Sequence, residues 1–193
     1  WPKPEKSLVN DKIEQAFDLM NEIVSICAAA RMNAKLKRRW PLNQAIICIE
    51  KDEQQKVKLL SELLRTQLNV ENYKIVELEN HIGISEFLEM KKANLPVIPK
   101  VELDRKAIGP KAKQRLEKLL ELFEKTNPEE IIQSLAKTRS FTFDIDGHKI
   151  SLEIDDFIIS FDVQEGFAFS KRNNLIGIIS TVRNEELMAK GLV

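Results

Sequence analysis

With 193 residues, 43% of them hydrophobic and 31% charged, the chain can bury a real core as one large domain or two small ones. Lys plus Arg and Asp plus Glu stand at 30 each, so no global field draws the chain onto RNA or anionic lipid, and polyanion binding must come from local patches. No apolar run approaches the roughly 18 residues of a membrane span, no signal peptide opens the chain, and Cys27 and Cys48 lack the short-spaced partners of a zinc site, reading instead as buried free thiols in a reducing compartment.

Residues 1 to 9, with Pro2 and Pro4, read as extended. Asp11 is placed to cap a helix, with Glu14 as its capping-box partner. Apolar residues then recur at Ile13, Ala16, Phe17, Met20, Ile23, Val24, Cys27 and Ala30, the 3.6-residue period of one buried face. The pattern predicts a helix from about Asp11 to Arg39, ended by Trp40-Pro41. Its last turns carry Arg31, Lys35, Lys37, Arg38 and Arg39 and no acid. Such a turn complements the helix macrodipole, and with an aromatic beside it suits a phosphate backbone carrying an exposed base. Trp40 itself is expected to plug the junction between helix and sheet, with base stacking as the competing role. The chain starts at Trp1 and ends at Lys190-Gly191-Leu192-Val193, which reads as a piece of a longer protein. The face bearing Phe17, Met20, Val24 and Cys27 is accordingly expected to lack some of its cover.

Residues 45 to 50 read as a buried strand, and Asp52 with Gln55 opens a helix whose face carries Val57, Leu60, Leu63, Leu64 and Leu68. Tyr73 to Leu78 is a second strand, so this βαβ unit should hold two parallel strands in one sheet. Val97 to Leu103, interrupted by Pro99, belongs at a sheet edge. Gly109-Pro110 is expected to start a helix burying Ala112, Leu116, Leu119, Leu120 and Phe123, and Asn127-Pro128 to cap a short one burying Ile131, Ile132 and Leu135. From Phe141 the period changes to two. Asp146-Gly147 signals a tight hairpin that sets Phe143 opposite Ile150 and Phe141 opposite Leu152. Strands near 158 to 163, 166 to 170 and 175 to 179 come next, with a closing helix over 185 to 190. The fold class is α+β: a long N-terminal helix, a βαβ unit, then helices and an antiparallel β-rich module. The domain reading is 1 to 43 as the end of a helical bundle and 44 to 193 as an α+β region, with a sub-boundary near 104 to 110.

Ala30, Arg31, Ala34, Lys37, Arg39, Pro41 and Leu42 together resemble the end of the last anticodon-bundle helix in class I aminoacyl-tRNA synthetases for branched aliphatic amino acids. Ile108-Gly109-Pro110-Lys111 resembles the Leu-Gly-Pro-Lys element of isoleucyl-tRNA synthetases of the archaeal and eukaryotic type. Asp155-Asp156, Gly166-Phe167-Ala168, Glu186-Leu187 and Gly191-Leu192 resemble later elements of the same C-terminal region, in the same order. That family often has Gly where Lys113 stands and Asp where Ser180 stands. The resemblance implies a tRNA-holding region without chemistry of its own, belonging to a cytoplasmic, monomeric ligase whose catalytic domain, using ATP and magnesium, lies upstream. RNA-binding candidates are Arg31, Lys35, Lys37, Arg38, Arg39, Trp40, Lys111, Lys113 and Arg115, with tRNA for isoleucine as partner and no membrane. Rival readings are a structural or protein-interaction module and the matching region of a valyl or leucyl enzyme.

His81-Ile82-Gly83-Ile84 differs by one residue from the His-Ile-Gly-His signature of class I synthetases, and Phe169-Ser170-Lys171 faintly echoes their second signature. Catalysis needs the second histidine to stabilise developing phosphate charge, and an isoleucine offers no donor. His148 is expected at the surface. Asp155-Asp156 reads as a capped turn rather than a catalytic carboxylate pair, and the mixture of Lys111, Lys113, Arg115 and Lys118 with Glu117 and Glu121 as a solvated helix face.

Overall fold

A computed structural model describes residues 10–51 and 53–190. The described residues form two compact units: those up to 81 together with those from 163 onward, and residues 82–162. The mixed α+β class expected from the sequence is the class observed.

The first unit opens with helix α1, Asp11–Asn33. Its N-cap is Asn10 rather than Asp11: the Asn10 side chain accepts from the Lys12 and Ile13 amides at 3.2 and 3.4 Å. Strand β1, Leu42–Glu50, follows, then α2 (Gln54–Lys58), α3 (Ser61–Leu68) and β2 (Val70–Leu78). The single helix expected here is thus two short ones, broken at Leu59–Leu60, and Asp52, its expected cap, lies outside the described residues. Strands β1 and β2 run parallel, with Ile47 beside Ile75, as the βαβ pattern requires.

In the second unit α4 (Gly83–Lys92) precedes β3 (Val97–Leu103). Next come α5 (Arg105–Ala112), α6 (Leu116–Lys125) and α7 (Pro128–Thr138), then strands β4 (Ser140–Ile145), β5 (His148–Glu153) and β6 (Phe157–Val163). Pro110 does not start a helix. Asp104 does so six residues earlier, accepting from the Lys106 amide at 2.9 Å, and Pro110 falls inside α5 close to its end. Asn127 caps α7 through the Glu129 amide, and Ile131, Ile132 and Leu135 are buried as the pattern predicts. The hairpin β4–β5 has the expected register, Phe143 with Ile150 and Phe141 with Leu152, because Asp146 and Gly147 both take positive φ in the turn. The Phe123 ring packs against both Phe143 and Phe157, with centroids 6.5 Å away in each case.

The chain then returns to the first unit with β7 (Phe167–Arg172), β8 (Leu175–Ser180) and α8 (Glu185–Lys190). The antiparallel pairing expected of the late strands is present, β4 with β5 and β7 with β8, and the structure distributes these strands among separate sheets. Only β4 and β5 pair with each other and β3 with β6, while β7 and β8 complete a four-stranded sheet in the order β2-β1-β8-β7. Strand β8 lies antiparallel to β1, with Gly177 beside Ile47. It is buried at every position, which is why Leu175 to Ile179 carries no polar alternation.

The long N-terminal helix expected from the sequence is α1, and it belongs to this unit. It packs on this sheet, where Ile23, Ile26, Cys27 and Ala30 share one core with Ala45, Ile47, Leu64 and Ile179. A boundary near residue 43 therefore divides nothing in the structure. Of the face expected to be short of cover, Met20 and Cys27 are buried and Phe17 is 39% exposed.

A candidate nucleic-acid interface

The long helix ends before its basic turn. Lys35 adopts φ 55°, and two hydrogen bonds close the helix behind it: Lys35 N–H to the Met32 carbonyl and Leu36 N–H to the Arg31 carbonyl, at 3.0 and 2.9 Å. That is a Schellman closure, with Leu36 packing back on the core in place of a further helical turn. The sequence hides it because the left-handed position is held by lysine instead of glycine. Lys35, Lys37, Arg38 and Arg39 consequently occupy a loop rather than the last turn.

Arg31 does not stand with them. It is 4% exposed, and its guanidinium donates to the carbonyls of Trp40 (2.7 Å), Leu68 (2.8 Å) and Asn69 (3.0 Å). Leu68 closes α3, so the cation satisfies orphan carbonyls at the negative end of that helix. A side chain so occupied is withdrawn from phosphate, which corrects its place among the candidate RNA contacts. Desolvation pulls its pKa below the usual arginine range; the Cys27 sulfur opposes this, and Arg38 and Arg183 add repulsion. The help from Cys27 is not available at neutral pH, because burial pushes that thiol up to about 12 and keeps it uncharged. The carbonyl dipoles of Trp40, Leu68 and Asn69, with that of Lys37 at 3.5 Å, are what hold the buried cation.

The loop is thereby strapped at several points. Trp40 N–H bonds the Lys37 carbonyl in a turn, Asn69 donates to the Arg38 carbonyl at 3.2 Å, and Asn33 donates to the Phe169 carbonyl at 3.0 Å. The straps leave charge facing outward: Lys35, Lys37, Arg38 and Arg39 are all exposed. Among the described residues none of these four enters an ion pair, whereas Lys51, Lys56, Arg65, Lys91, Lys100, Lys111, Lys118 and Lys190 each find a carboxylate.

Trp40 is half-buried, so it is neither a sealed plug nor a free platform. The Lys37 ammonium lies 5.5 Å from its ring centroid and the Arg183 guanidinium carbon 4.6 Å away. Sequence reasoning missed Arg183, which follows β8 and approaches Trp40 only through the fold.

The remaining candidates lie in the second unit. Lys111 pairs with the buried Asp156 carboxylate at 2.5 Å, and this hydrogen bond raises the lysine above its ordinary range. Asp156 also accepts from the Glu153 amide at 2.8 Å, giving the capped turn expected at Asp155-Asp156. Lys113 is exposed, and Arg115 is half-buried in a short 3-10 turn. Lys113 has φ 47° and ψ −121°, a backbone that favours glycine, at the position where the resembling family often carries one.

His81 is half-buried, with neither ring nitrogen hydrogen-bonded among the described residues, and its carbonyl accepts from Lys171 at 2.7 Å. His148 is exposed, as expected. A cavity of the first unit, about 210 Å³, is lined by Glu22, Glu50, Glu53, Arg172 and Asn174, an acid-rich wall unsuited to phosphate. Among the described residues no helix is long and apolar enough to cross a membrane.

No family model matches the chain. It is similar throughout to proteins described as isoleucine–tRNA ligases. That of Saccharolobus solfataricus is 29% identical over 190 residues, 98% of this chain and 18% of the relative. That of Porphyromonas gingivalis is 27% identical over 194 residues, 100% and 16%, and that of Methanothermobacter marburgensis 25% over 183 residues, 94% and 16%. The chain thus spans 16 to 18% of the length of these curated relatives.

Proposed function

We propose, from the premise that this chain corresponds to one stretch of an isoleucine–tRNA ligase, that it holds tRNA for an aminoacylation carried out elsewhere in that ligase. The observation that carries the reading is the strapped loop, whose backbone holds Lys35, Lys37, Arg38 and Arg39 exposed and, among the described residues, in no ion pair, beside a half-buried indole. Four such cations fit a polyanion: each phosphate contact releases counterions, while the rigid backbone limits the entropy lost on docking. An indole at the edge of such a patch adds a surface for an unpaired base, which the anticodon loop of a tRNA supplies. ATP, magnesium and isoleucine belong in this reading to other parts of the ligase, working as a monomer in the cytoplasm. Lys111, Lys113 and Arg115 contribute a second, weaker set of contacts, because Lys111 already spends its charge on Asp156.

The test is a salt titration of binding to isoleucine tRNA and to a non-cognate tRNA. Replacing Lys35, Lys37, Arg38 or Arg39 singly with alanine is expected to reduce the slope of log affinity against log salt by about 0.7 per contact made to a single strand. Unchanged affinity and slope across all four variants would remove this loop from the interface.

A further inference from the structure

The cationic loop is a local feature of residues 35 to 39, but the ring beside it is not served by that loop alone. Arg183 comes from the segment between β8 and α8, and its guanidinium carbon sits 4.6 Å from the centroid of Trp40, closer than the Lys37 ammonium at 5.5 Å. Its position is held from one end: Nη2 donates to the Leu187 carbonyl at 3.3 Å, and Leu187 N–H is in turn held by the Asn184 side chain at 2.8 Å. Nε is buried and makes no hydrogen bond among the described residues. Arg183 has no carboxylate partner among the described residues, and its charge reaches the buried Arg31, as does that of Arg38. Among the described residues, nothing acidic therefore explains why an arginine stands there. The guanidinium lying over the indole at 4.6 Å does explain it.

We propose that Trp40 and Arg183 together form the seat for one unpaired RNA base, with Arg183 as a further binding residue. The inference rests on the reading of the loop as an RNA interface and adds a specific ligand element to it. Two planar groups, one aromatic and one guanidinium, offer a base a stacking surface, and the cation adds attraction to its π-face. Lys37, Arg38 and Arg39 lie on the chain immediately before Trp40 and can neutralise the phosphates flanking that base. A lysine could supply the charge of Arg183 but not its plane. The seat therefore favours a single-stranded or looped RNA over a continuous duplex, whose bases are already stacked.

The test compares Arg183→Lys and Arg183→Ala with the unaltered protein on two RNAs of equal length, an unpaired oligoribonucleotide and a blunt duplex. Arg183→Lys is expected to bind the unpaired RNA about tenfold more weakly, with its salt slope unchanged and its duplex binding unchanged. Arg183→Ala should show the same loss and also a reduced salt slope. Far-ultraviolet circular dichroism and a melting curve on each variant establish that it is folded, and Arg183→Gln, which keeps a planar terminus, is a second folded control expected to lose less than Arg183→Lys on the unpaired RNA. If the unaltered protein binds neither RNA in a salt-dependent manner, the interface reading falls and this inference with it. If the unaltered protein binds but Arg183→Lys retains full affinity, or loses equally on both RNAs, the interface stands and the stacked seat is wrong.

Discussion

Replacing Arg31 with alanine separates an internal strap from a phosphate contact. The substitution removes a buried cation that donates to four carbonyls, at 2.7, 2.8, 3.0 and 3.5 Å. Hydrogen bonds to a charged group are worth about 1.5–3 kcal/mol each, and the Leu68 carbonyl is left buried without a partner. Against that loss stands the relief of a desolvated charge that Arg38 and Arg183 repel. Breaking a buried charged network by removing one member typically costs about 3–5 kcal/mol, and we expect Arg31→Ala to fall in that range. For a chain of this size each kcal/mol moves the melting midpoint by roughly 2–4 °C, so the shift should be roughly 6 to 20 °C. The chain holds two tryptophans, so a Trp1→Phe background makes Trp40 the reporter of the unit that contains Arg31. Urea unfolding followed by that fluorescence gives the stability, and RNA titration of the folded protein gives the salt slope. Arg31→Lys should recover part of the stability, since an ammonium can reach fewer of the carbonyls than a guanidinium fork. A stability loss below about 1 kcal/mol, together with a slope reduced by about 0.7, would show that Arg31 faces phosphate and that the strap is misassigned.

Gly177 admits α1 close to β8: a Cβ there would lie 3.0 Å from the Cys27 sulfur and 3.1 Å from Ile26, so Gly177→Ala should cost about 1–3 kcal/mol in urea unfolding, and adding Cys27→Ala should return part of it. Equal stability of Gly177→Ala and the parent would mean that the helix yields freely. Lys113→Gly should raise the melting midpoint, because a side chain at φ 47°, ψ −121° stores strain of about 1–3 kcal/mol; no gain would argue against that conformation. The Cys27 thiol, raised by burial from an ordinary 9.0 to about 12, should resist a thiol reagent at pH 8 until the protein unfolds. The linkage runs one way: its folded pKa exceeds its unfolded one, so its contribution is full below pH 9 and is lost as pH rises towards 12. A stability profile of Cys27→Ala that falls as steeply as the parent over that window would count against it.

Short-range pattern was enough for much of this protein. Parallel pairing of β1 and β2 follows from two apolar runs separated by one amphipathic stretch, and the β4–β5 register follows from Asp146-Gly147, because only a two-residue turn with positive φ joins those strands. The Asn127 cap and the inward face of α7 are equally local. The basic cluster at 35 to 39 was legible as composition, and the likeness to isoleucyl-tRNA synthetases as a colinear set of short motifs. Where several outcomes shared one local pattern, distant partners chose between them. Apolar periodicity could not say that α1 lies on a sheet rather than in a bundle, since both bury the same stripe; β7 and β8 supply the surface it covers. Charge could not distinguish Arg31 from Arg38, because the difference lies in the carbonyls of Leu68 and Asn69, which the fold brings under one guanidinium. Trp40 and Arg183 meet for the same reason: pairing β8 with β1 carries the end of the chain back to the loop that precedes β1, a juxtaposition that belongs to the sheet order and to no stretch of sequence.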